Sequence, residues 1–111
     1  GIPSVAVHGP FSEDFDWVHL GDWPHGPIRL TDAQTRVFEA LWAHRDRAQS
    51  SEFIMRAAGL DSEKPMDVFK LKAANRGDPV YEGPLHAYEQ LVSRQRRLGL
   101  YRLVWAEPSS L

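Results

Sequence analysis

The sequence predicts an α+β domain: a short N-terminal strand region, a three-helix core and a C-terminal β-hairpin. Three observations predict it. Thr31 and Gln34 stand at the spacing of a reciprocal helix cap, just ahead of an amphipathic run. Two further stretches are punctuated by Ser, Asp, Gly and Pro at positions where helices start and stop. The run Leu100-Tyr101-Arg102-Leu103-Val104-Trp105, entered through Gly99, is rich in strand-forming residue types.

With 111 residues, 42% of them apolar and 25% charged, the chain fits one globular domain that buries roughly two thirds of its unfolded surface. It has no cysteine, so disulfides, thiolate metal sites and cysteine nucleophiles are excluded. Cysteine-free composition, no apolar run near the ~18 residues of a membrane span and no leader-like start make a cytoplasmic protein with no membrane partner the expectation. Gly1 in place of an initiating Met suggests a trimmed chain or an excised domain.

The expected layout is a flexible N-terminal segment over residues 1–14, the domain proper over 15–106 and a C-terminal tail over 107–111. Phe15-Asp16-Trp17-Val18-His19-Leu20 alternates partly and is predicted as a short strand, with Ile28-Arg29-Leu30 as a second extended piece. The first helix starts after Thr31 and runs to about His44. It buries Val37, Phe38, Leu41 and Trp42 and turns Arg36, Glu39 and Arg45 to water.

A second helix starts at Ser50 or Ser51, buries Phe53, Ile54, Ala57 and Ala58, and stops at Gly59. Asp61 or Ser62 caps a third, basic helix with Pro65 in its first turn. Two short helices around a tight turn have the organisation of a helix-turn-helix, with the third helix as reader. A loop of about ten residues follows Arg76-Gly77-Asp78-Pro79. Residues 84–97 fit either a helix beginning at Pro84 or hairpin strand; the favoured compromise is one helical turn over Pro84 to Glu89, then the hairpin.

Ile28-Arg29-Leu30-Thr31-Asp32-Ala33-Gln34 and Gly99-Leu100-Tyr101-Arg102-Leu103 together resemble the winged-helix effector domain of bacterial response regulators, over about residues 15 to 105. Asp67-Val68-Phe69-Lys70 with the same closing strand is also similar to uncharacterised bacterial and phage helix-turn-helix proteins. The breaker-rich stretch from Arg76 to Gly83 departs from the regulator pattern. The resemblance implies a winged helix with a C-terminal β-hairpin wing, sequence-specific binding of double-stranded DNA in transcriptional regulation, and dimerisation at operator sites.

All thirteen Lys and Arg fall between Arg29 and Arg102 with ten of the fifteen acids, so this body is net +3 and its flanks −5, within a total of −2. Lys64, Lys70, Lys72, Asn75 and Arg76 on the third helix offer phosphate ligands and one bidentate amide. The bland alternative is a solvated face over an apolar side of Met66, Phe69 and Ala73. Arg94, Arg96 and Arg97 surround the hairpin turn, with no acid between Gln90 and Leu100, and are the expected backbone contacts.

The near-neutral charge keeps a second reading open, a winged-helix module that holds a polymerase, packaging or assembly partner. The acidic, aromatic segment with Trp17 and Trp23 would then be a protein surface. His19, Asp22 and His25 have ligand-like spacing, but more ordinary histidines are the expectation, with no cofactor. No phosphate-cradling loop, nucleophile elbow or carboxylate pair is present to support catalysis.

Overall fold

Thr31 sets the start of the central helix. Its hydroxyl accepts the Gln34 N–H at 3.3 Å, and the Gln34 side-chain oxygen accepts the Thr31 N–H at 2.9 Å. Helix α1 (Asp32–Ala43) propagates from this cap and closes at His44, as the sequence predicts. Val37, Phe38 and Leu41 are buried, while Trp42 is half-buried beneath the Arg45 guanidinium.

The computed structural model describes residues 5–105. Four short strands precede α1 and form an antiparallel sheet in chain order: β1 (Ala6–His8), β2 (Phe11–Ser12), β3 (Trp17–Val18) and β4 (Ile28–Arg29). Two of them lie in the segment expected to be a flexible lead-in. Its Gly9-Pro10 pair is a turn between β1 and β2, with Gly9 at φ 62°. A Cβ at Gly9 would stand 2.8 Å from the Trp42 ring. Phe11, fully buried, anchors the segment by packing on Phe38 with ring centroids 4.9 Å apart. The expected tail, 107–111, lies outside the described residues, as do residues 1–4 of the lead-in.

The strand expected over Phe15 to Leu20 contracts to two residues. Phe15 adopts φ 61° in a turn whose N–H donates to the Ser12 carbonyl at 3.0 Å, which sends its ring inward against His8 and Phe11. β4 pairs with β3 through Val18 and Ile28 and leads directly into the cap of α1.

After α1, β5 (Gln49–Ser50) leads into α2 (Ser51–Ala58), whose first turn is capped by the Ser50 hydroxyl and whose end is the left-handed Gly59. The buried positions are Ile54, Met55 and Ala58. Phe53, expected inside, is 39% exposed and rests edge-on against His44, and Ala57 is exposed.

The largest correction concerns the third helix. Residues 61–78 form no α-helix; they hold two 3-10 turns, Pro65–Val68 and Ala73–Asn75, with an extended link between. The carbonyl of Val68, which helix propagation would give to Lys72, instead accepts the side-chain N–H of Gln34 at 3.0 Å. The third helix lies further on, α3 (Pro79–Leu91), capped by Asp78 and opened by Pro79. The expected loop and the single turn at Pro84 are thus one continuous helix. Pro84 gives up one helical hydrogen bond. Gly83 lets the helix press on β4, since a Cβ there would meet Ile28 at 3.1 Å.

The hairpin forms as expected: β6 (Val92–Gln95) and β7 (Leu100–Leu103) pair antiparallel across a turn closed by Gly99 at φ 63°. β5 adds to the other edge of β7, giving a three-stranded sheet of order β5-β7-β6. One core joins both sheets, with Phe11, Phe38, Ile54, Phe69, Leu91 and Leu103 among its members.

Candidate nucleic-acid interface

The hairpin register fixes where each arginine goes. Arg94 stands opposite Tyr101 and Ser93 opposite Arg102, so Arg94 and Arg102 leave the sheet on opposite faces. Tyr101 is buried and holds its face of the sheet against the core. The Arg94 guanidinium lies 5.7 Å from the Tyr101 ring, and Arg96 and Arg97 are exposed at the turn. Arg102 faces away, toward Trp42, Arg45 and Trp105.

On the Arg94 face a shallow hollow of about 440 Å³ brings together Lys64, Lys70 and Arg94 over a floor that includes Tyr88 and Tyr101. Elements far apart in sequence thus converge: the residues flanking the first 3-10 turn supply the lysines and the hairpin the arginine. Glu63 and Asp67 border the same hollow. Asp67 is already engaged, accepting the Lys64 backbone N–H at 3.1 Å and facing the Lys70 ammonium at 3.5 Å. Burial pushes the Tyr88 phenol up to about 12, raised further by Tyr101 and partly opposed by Arg94, so Tyr88 stays neutral at ordinary pH.

The other expected contacts scatter. Asn75 is half-buried and lines a different groove, while Lys72 and Arg76 are exposed and line neither hollow. Lys70 borders both. The helix that the basic residues were to share is absent, so they do not present one face. The helix that immediately precedes the hairpin, α3, has no Lys or Arg and carries Glu82 and Glu89.

Trp17 and Trp23 are half-buried rather than free-standing. Trp17 lies under the Arg29 guanidinium, and Trp23 stacks on His86 at 4.8 Å. His25 sits edge-on to Trp23, and Asp22 faces His86 at 3.3 Å. Among the described residues, no three His, Asp or Glu side chains gather as a metal site, and no helix is long and apolar enough to cross a membrane. In the turn between β2 and β3, the Ser12 hydroxyl donates to Asp14 and holds its carboxyl below the usual range.

Sequence reasoning missed the second groove. Its walls come from β3, β4, the 65–75 turns and the start of α3, and its signal, Val80 and Tyr81, lay in a stretch read as loop. Comparison with protein-family models, curated proteins and solved structures returns no match to this chain.

Proposed function

We propose that the chain is a winged-helix domain that binds double-stranded DNA, led by its hairpin rather than by a basic reading helix. The connectivity supports the winged-helix reading. A short strand between α1 and α2 pairs with the return strand of a hairpin that directly follows α3.

The observation that carries DNA binding is the cation cluster. Arg94, Arg96 and Arg97 are exposed on the hairpin, and Lys64 and Lys70 border the hollow that Arg94 enters. Guanidinium groups on a protruding hairpin suit phosphate oxygens and the minor groove. Three guanidinium and two ammonium contacts with phosphates predict that the logarithm of affinity falls with the logarithm of salt at a slope of about −4 to −5.

α3 is acidic where a helix that reads bases in the major groove needs cations and amides. Its acids and its exposed Val80 and Tyr81 favour the second reading, a module that holds a protein partner.

Fluorescence anisotropy of a short labelled random duplex over a salt series separates the two. Wild type is expected to bind at low salt with the stated slope, and Arg96→Glu with Arg97→Glu to abolish binding. No binding by wild type even at low salt would overturn the DNA reading in favour of the protein module. Selection from a random-sequence pool then tells a regulator with a preferred site from a binder of backbone alone.

A further inference from the structure

The second groove holds about 670 Å³, inside the range of small-molecule sites at roughly 300–1,000 Å³. Trp17, Trp23, Pro27, Leu71, Val80 and Tyr81 give it flat, largely apolar walls. Arg29 and Lys70 also line it, and no acid does. Val80 and Tyr81, 71% and 51% exposed, stand at the first turn of α3.

Arg29 is the informative residue. Its guanidinium carbon lies over the Trp17 ring, 5.2 Å from the centroid, and among the described residues no carboxylate pairs with it. The ring face holds the cation by a cation–π contact that engages none of its N–H donors in a carboxylate pair, so they are available to a ligand. A planar cation beside apolar aromatic walls complements a planar organic anion: rings against Trp23 and Tyr81, the acid group on the Arg29 fork.

We infer that this groove is a binding site for a small aromatic carboxylate or an organic acid of similar shape. The inference rests on the groove alone and does not depend on DNA binding.

Two dyes of matched shape test it, anilinonaphthalene sulfonate as the aromatic anion and phenylnaphthylamine as its neutral analogue. Fluorescence titration of the wild-type chain should show saturable binding of the anionic dye at one site, competed by naphthoate. Arg29→Gln should weaken the anionic dye on the order of tenfold, the loss of one charge-assisted pair, while the neutral dye changes by less than about twofold. Val80→Asp, at an exposed first-turn helix position that favours an acid, should weaken the anion severalfold by placing a carboxylate at the rim. Near-ultraviolet circular dichroism matching wild type in both variants would tie the losses to the groove. No saturable binding to wild type, or equal affinities in wild type and both variants, would overturn the proposal.

Discussion

Two stretches of this chain begin alike and end differently. At α1, the Thr31 side chain and the Gln34 side chain each cap the other's backbone. At residues 64–67 only the return half exists: Asp67 accepts the Lys64 N–H, but a lysine has no acceptor to offer the turn. α1 then buries Val37, Phe38, Ala40 and Leu41 along one stripe for twelve residues. The later stretch buries Pro65 and Phe69, exposes Lys70 at once, and loses the Val68 carbonyl to Gln34. A start signal initiates a turn, whereas a continuing apolar stripe and free carbonyls make it a helix.

The largest expected effect tests whether α1 supports both stretches. Phe38 is fully buried and contacts Phe11 on one side and Phe69 at 5.2 Å on the other. Phe38→Ala should cost about 3–5 kcal/mol in urea unfolding, with one transition for the whole chain. A loss below about 1 kcal/mol, or two separate transitions, would break the picture of a shared core.

Gln34 hydrogen-bonds in both stretches, and it permits a sharper cut. Gln34→Glu keeps the oxygen that caps Thr31 but removes the N–H that holds Val68, at an expected cost of about 1–3 kcal/mol. Thr31→Ala removes the other leg of the cap at about 1 kcal/mol. Native-state hydrogen exchange should then differ by region. The glutamate variant should accelerate exchange over 64–75, and the alanine variant over the first turn of α1. Unchanged protection of 64–75 in Gln34→Glu would mean that the captured carbonyl does not shape that stretch.

What the sequence made legible follows the same division. α1, α2 and the hairpin were readable because cap, stripe and glycine all act locally, at Thr31, Gly59 and Gly99. The 61–91 region was misread because its determinants are remote. Gln34 acts on Val68 across 34 positions, and Gly83 reads as a breaker until Ile28 is seen packed against it. Gly9-Pro10 looked like a loose lead-in for the same reason, since Trp42 is what makes the glycine necessary. For the candidate site, residue types were legible and their grouping was not. The sequence places Arg94 on the hairpin and Lys64 and Lys70 on a helix, and only the fold brings the three to one hollow.

The smallest expected effect on stability concerns Lys70, and its smallness is informative. Its ammonium is 3.5 Å from Asp67 but 72% exposed, so the pair contributes at most about 0.5 kcal/mol. The exposed Asp32–Arg36 pair on α1, at 3.1 Å, is the matching control with the same ceiling. Lys70→Ala and Arg36→Ala should therefore unfold within about 0.5 kcal/mol of wild type. Their effects on duplex binding should separate, with Lys70→Ala lowering the salt slope by about one contact and Arg36→Ala leaving it unchanged. Equal slopes for the two variants would remove Lys70 from the interface. A large stability loss in Lys70→Ala would instead make the lysine a structural partner of Asp67, holding the carboxylate that accepts the Lys64 N–H.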